Sequence, residues 1–83
     1  MNAPLPLTAQ LQINQSGAWR SALDFDMHQA PPEFLEAADQ LARLAGERTS
    51  MRVVRSTLNG SGGTRPTGNV LMHWTRATGW VNT

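Results

Sequence analysis

The chain has 83 residues, of which 40% are hydrophobic and 16% are charged, and it contains no cysteine. This composition fits one small domain over residues 1–83 and excludes disulfides, thiolate nucleophiles, cysteine-type zinc sites and iron–sulfur clusters. No segment approaches the roughly 20 apolar residues of a membrane span, and the N-terminus lacks the pattern of a secretory signal. We therefore expect a cytoplasmic protein that makes no contact with a membrane.

The near-neutral net charge of +1 conceals two oppositely charged halves. Residues 1–47 carry two arginines and six acids, a net charge of −4, whereas residues 48–83 carry five arginines and no acid, a net charge of +5. All seven basic residues are arginines. The two halves either neutralise each other within the fold or leave the positive half free to face a partner.

The first two predicted strands form a hairpin. Residues 7–14 alternate between apolar and polar side chains, and the alternation resumes over residues 19–28 after a turn-forming stretch. The parity of the second strand places Trp19 on the apolar face, together with Leu23 and Phe25. We therefore expect Trp19 to lie in the core.

A helix follows the hairpin. Pro31 and Pro32 end the second strand and suit a helix start, and Gly46 suits a helix end. Between them, apolar residues recur at intervals of three and four, which predicts an amphipathic helix of about 14 residues. The apolar stripe of this helix consists of Phe34, Ala37, Ala38, Leu41, Leu44 and Ala45.

The remaining chain is predicted to complete one sheet. Residues 50–57 and 69–75 alternate as strands, and Trp80 and Val81 can add a short fifth strand. Residues 58–68 are rich in glycine and predict a mobile loop, and residues 1–6 a flexible N-terminus. The order ββαββ(β) predicts an α+β fold, a single antiparallel sheet of four or five strands with one helix on one face.

Motifs for catalysis and metal binding are weak in this sequence. Asp24, Asp26 and His28 alternate along the second strand, but three successive residues of one strand face cannot converge on a metal without a bulge, so a solvated polar face is favoured. The glycine-rich loop has no Gly-Lys-Ser/Thr ending, and no Gly-x-Ser-x-Gly elbow occurs. We expect no enzymatic activity, no metal and no cofactor.

Tryptophan and arginine are enriched at binding hot spots, and they supply the predicted partner-binding residues. These residues are Trp80, Arg76, Arg65, Arg52 and Arg55. Trp80 is expected to be the most exposed of the three tryptophans, so Trp80 with Arg76 is the favoured contact patch. The other arginines are expected on the later strands and their loops.

Two functions from different classes remain open. The favoured hypothesis is a small, non-catalytic protein-binding or adaptor module with an unknown protein partner, a homodimer formed through an exposed sheet edge or the uncovered sheet face. Its size is typical of the accessory proteins of bacteria and phages. The alternative is nucleic-acid binding, in which Arg52, Arg55, Arg65 and Arg76 would contact phosphates.

Overall fold

The computed structural model describes residues 7–58 and 63–83. In chain order its elements are β1 (Thr8–Asn14), β2 (Trp19–Asp26), α1 (Pro32–Leu44), β3 (Ser50–Leu58), β4 (Thr64–Thr75) and β5 (Gly79–Asn82). The five strands form one antiparallel sheet in the order β2-β1-β3-β4-β5. The predicted α+β fold and its ββαββ(β) order are therefore confirmed.

The two faces of the sheet differ, and we call them the helix face and the open face. The core lies on the helix face, where Ala38 and Ala42 of α1 pack on Leu11, Val53 and Trp74 of the sheet. Trp74 is fully buried in this core. Alanines at the contact allow the helix to approach the sheet closely, because they add little side-chain volume between them.

The helix is anchored over the β4 and β5 side of the sheet. The Trp74 Nε1–H donates a 2.6 Å hydrogen bond to Oδ1 of Asp39, and the Trp80 Nε1–H donates a 2.9 Å bond to the carbonyl oxygen of Leu35. Both bonds hold the same flank of α1. The helix consequently sits off-centre, and the β1 and β2 side of the helix face is only partly covered.

Trp19 does not lie in the core, so that prediction is wrong. The register between β1 and β2 shifts between Leu11 and Gln12, where β2 contains the additional residue Ala22. This β-bulge reverses the face on which the preceding residues of β2 lie. Trp19 is therefore on the open face, 38% exposed, with the guanidinium of Arg52 at 4.1 Å from its ring centroid.

The predicted loop over residues 58–68 is also wrong in part, because β3 reaches Leu58 and β4 begins at Thr64. Pro66 is compatible with the strand because β5 pairs only with residues 72–75, which leaves the start of β4 at a free edge. Thr67 Oγ1 also donates a hydrogen bond to the Arg55 carbonyl oxygen. Residues 59–62 and the predicted flexible N-terminus, residues 1–6, lie outside the described residues.

The helix spans 13 residues. Across residues 7–58 and 63–83, no helix is long and apolar enough to cross a membrane.

Candidate functional site

The apolar stripe of α1 is divided between the core and the surface. Ala38 and Ala42 are buried against the sheet, whereas Leu41 is 65% exposed and Leu44 is 88% exposed. The cause is the anchoring described above: the tryptophans hold the flank that carries Asp39, so the opposite flank faces outward. Two large leucines are thus left at the surface although they belong to the predicted stripe.

These leucines border a depression that we call the helix groove, with a volume of about 380 Å³. Its floor is formed by Leu11, Ile13 and Met51 of the sheet, and its wall is the exposed flank of α1. A smaller hollow of about 190 Å³ continues beyond Leu41 and shares Leu11 with the groove. Together they form a continuous apolar surface along the helix.

Among the described residues, no charged side chain lines the helix groove. The polar residues of this lining are Gln15 and Thr49, and they interact with each other, since Gln15 Nε2 donates to Thr49 Oγ1 at 3.4 Å. A hydrophobic partner would therefore meet few polar groups whose hydration must be removed. The groove suits an apolar protein surface, and it lacks the charged anchors with which a polar ligand would be oriented.

Arg76, one of the predicted partner-binding residues, contacts the C-terminal end of α1. Its guanidinium donates to the carbonyl oxygens of Arg43 (3.3 Å), Ala45 (3.0 Å) and Gly46 (3.2 Å), with a longer contact to that of Ala42 (3.5 Å). All four carbonyl groups lie at the negative end of the helix dipole, and those of Ala42 and Gly46 also accept backbone hydrogen bonds from Ala45 and Thr49. The observed role of Arg76 is to cap α1.

Trp80 is likewise engaged within the protein. Trp80 is partly buried against the core and its indole N–H is hydrogen-bonded to the helix backbone. The expectation that Trp80 is the most exposed tryptophan is therefore wrong, because Trp19 is more exposed. Its proximity to α1 follows from the pairing of β5 with β4, which places Trp80 beside Trp74. The predicted patch of Trp80 and Arg76 therefore holds the helix in place.

The remaining predicted arginines are divided between the two faces of the sheet. Arg52 pairs in register with Gln12 and lies on the open face, whereas Arg55 pairs with Ala9 and belongs to the opposite face. Arg65 is exposed and pairs in register with Thr57, two residues along β3 from Arg55. A phosphate-binding surface requires several cations on one side, and this arrangement places only Arg55 and Arg65 together.

Arg52 belongs to a ladder of hydrogen bonds across the open face. Its Nε donates to Oε1 of Gln12 at 2.7 Å, Gln12 Nε2 donates to Oε1 of Gln10 at 2.9 Å, and Gln10 Nε2 donates to Oδ1 of Asp24 at 3.1 Å. Both glutamines are buried. The ladder joins a cation of the positive half to an anion of the negative half, so the two halves are partly compensated within the fold.

The acidic residues also have structural partners. Asp26 Oδ1 accepts hydrogen bonds from the backbone N–H groups of Leu7 and His28 and thereby closes the turn after β2. The hydrogen bonds from Arg43 and Trp74 hold the pKa of the Asp39 carboxyl below its usual value of 3.8. Within the described part of the chain, no three metal-ligating side chains are grouped together.

The sequence did not predict that Leu41 and Leu44, which border the candidate site, lie at the surface. Their spacing identified them as part of an apolar stripe, but no local signal showed which flank of the stripe the sheet would leave uncovered. The width of the stripe does indicate that part of it stays exposed. Its six apolar residues form a broader face than the two buried alanines, Ala38 and Ala42, need to contact the sheet.

Comparison with known proteins found no match to this chain among family models, curated proteins or solved structures.

Proposed function

We propose that this protein is a non-catalytic protein-binding module that self-associates through the helix groove. The observation that carries the proposal is the exposure of Leu41 and Leu44 beside a groove whose lining, over residues 7–58 and 63–83, holds no charged residue. Small soluble proteins rarely leave contiguous apolar surface of this kind open to water, and such surface typically marks an interaction site.

The size of the domain supports self-association. A chain of 83 residues buries only about 60 to 65% of the surface that its unfolded form exposes, so its hydrophobic stabilisation is small. The absence of cysteine removes disulfides as a source of additional stability. Covering Leu44 and its neighbours with a second subunit would bury apolar area that the isolated domain cannot bury.

Analytical ultracentrifugation of the wild type and two matched variants tests the proposal. The wild type should sediment with about twice the chain mass of 9.1 kDa. Leu44→Glu places a charge in the proposed interface and should yield a folded monomer, because the residue is 88% exposed in the single chain. Val81→Glu, on the other face of the sheet and 37% exposed, is the control and should stay dimeric.

Circular dichroism of each variant establishes that the fold is retained. A wild type that remains monomeric at the highest soluble concentration would contradict the proposal. Equal dissociation of the Leu44→Glu and Val81→Glu variants would also contradict it, since the groove would then have no special role.

A further inference from the structure

The helix groove can be assigned a specific mode of self-association. Resting on the proposed function above, we infer that two copies dock with their α1 helices antiparallel across a twofold axis near Leu41. Three properties of the described residues support this pairing: the shape of the exposed stripe, the placement of charge at the two ends of the helix, and the character of the sheet edges.

The exposed flank of α1 is complementary to itself. Ala37, Leu41 and Leu44 follow one another at intervals of four and three, and all three are exposed. In an antiparallel pair centred on Leu41, a residue three positions after the centre faces the residue three positions before it. Leu44 of each copy then lies against Ala37 and Ala38 of the other, so a large side chain meets two small ones.

The hollow beside Ala37 provides the space for that leucine. It has a volume of about 190 Å³ and is lined by apolar side chains, including those of Leu23 and Phe34. Projection and hollow thus lie on the same patch of one subunit, on either side of Leu41. This is the requirement for an isologous interface, in which one surface contacts its own copy around a twofold axis.

Charge at the two ends of α1 is compatible with the antiparallel arrangement. Glu33 lies in the first turn of α1, and Arg48 lies with Glu47 in the loop between the helix end at Leu44 and β3. Antiparallel docking brings the first turn of one helix towards the end of the other, so Glu33 of one copy approaches the loop that carries Arg48 of the other, twice in the dimer, and it also aligns the helix dipoles favourably. A parallel pair would place like charges together.

The sheet edges are poor alternatives as dimer contacts. The edge strand β2 is interrupted by the bulge at Ala22, which disturbs the regular row of backbone groups that a second strand would need. The opposite edge consists of β5, which spans only four residues, and of the start of β4, where Pro66 has no backbone N–H to donate. The open face is also less suitable, because its centre holds the polar ladder of Gln10, Gln12 and Arg52.

Because the chain has no cysteine, single-cysteine variants can locate the interface by disulfide formation. Leu41→Cys should form a covalent dimer rapidly in dilute solution under mild oxidation, since the two residues face each other across the axis. A mixture of the Ala37→Cys and Leu44→Cys proteins should form the mixed disulfide in preference to either homodimer. Ala22→Cys on the β2 edge and Val81→Cys on the open face are controls that should cross-link slowly.

A charge reversal provides a second test that leaves the apolar stripe intact. Glu33→Arg and Arg48→Glu should each raise the dimer dissociation constant by roughly tenfold, because each places two like-charge pairs in the interface. The double variant restores opposite charges and should return the constant close to that of the wild type. Circular dichroism and thermal melting of all variants control for loss of the fold.

The outcomes separate this inference from the proposed function. A dimer that cross-links through Ala22→Cys or Val81→Cys but not through Leu41→Cys would overturn the antiparallel helix pair. Additive weakening by the two charge reversals, without recovery in the double variant, would overturn it as well. Self-association as such would stand in both cases, whereas a monomeric wild type would overturn both proposals.

Discussion

Arg52 on β3 and Asp24 on β2 carry opposite charges and are connected through the two buried glutamines of β1, the strand between them. They lie two strands apart and are offset by two residues along the strands, so their backbones are separated by more than twice the roughly 4.8 Å strand spacing. Gln12 and Gln10 each accept a hydrogen bond on one side and donate one on the other. A polar connection therefore spans three strands of a face that no helix covers.

The ladder predicts that Gln12 contributes to stability. Gln12→Leu removes the acceptor of Arg52 and the donor to Gln10, so it should lower the free energy of unfolding by about 1–3 kcal/mol. Urea denaturation monitored by tryptophan fluorescence measures this change. Gln29→Leu, at an exposed position outside the strands, is the control. Equal effects of the two substitutions would show that the ladder is energetically unimportant.

The contacts of Arg76 predict a structural cost for its removal. Arg76→Ala should destabilise the protein by about 1–3 kcal/mol, because the carbonyl groups at the end of α1 lose a charged donor. Arg76→Lys should recover only part of the loss, since one ammonium group cannot reproduce the guanidinium fork. Thermal and urea unfolding give the values, and Arg65→Ala at an exposed position is the control. A loss no greater than in that control would contradict the capping role.

The lowered pKa of Asp39 predicts a pH dependence of stability. The hydrogen bond from Arg43, and to a smaller extent that from Trp74, favours the ionised carboxylate in the folded state. The contribution of the Asp39 carboxylate to the free energy of unfolding is therefore fully present above about pH 3.8. It is lost as the pH falls through the lower pKa of the folded state, where the carboxyl group becomes protonated. Asp39→Asn should therefore be less stable than the wild type at neutral pH and should approach it in acid.

Urea denaturation of both proteins across this pH range tests the prediction. Glu36→Gln, which removes an exposed carboxylate from the same helix, is the matched control and should keep the pH dependence of the wild type. A constant difference in unfolding free energy between Asp39→Asn and the wild type at every pH would contradict the role given to the carboxylate.

Much of the fold could be predicted from local patterns. The alternation of residues 7–14 and 50–57 gave the strands, and the three- and four-residue spacing after Pro31 gave the helix. The turn-forming residues after β1 also predicted the turn that the structure contains. There Gly17 adopts φ = +90° and its N–H donates a hydrogen bond to Asn14 Oδ1. Such signals arise within a few residues of the chain, so they can be read without the tertiary structure.

The candidate site could be predicted only in part. The extra residue Ala22 has no distinctive local signal, yet the bulge it forms moves Trp19 from the predicted core to the open face. Exposure of Leu41 and Leu44 likewise depends on where the helix is anchored, which no pattern within the helix reveals.

By itself, the sequence determined the elements, their order and the division of charge between the two halves, because periodicity and composition are properties of the chain. Only the tertiary structure decided which apolar residues face water. That choice depends on bonds between distant residues, from Trp74 to Asp39 and from Trp80 to Leu35, which fix the lateral position of α1 on the sheet. Since these contacts hold one flank of the helix, the other flank and its leucines are left exposed.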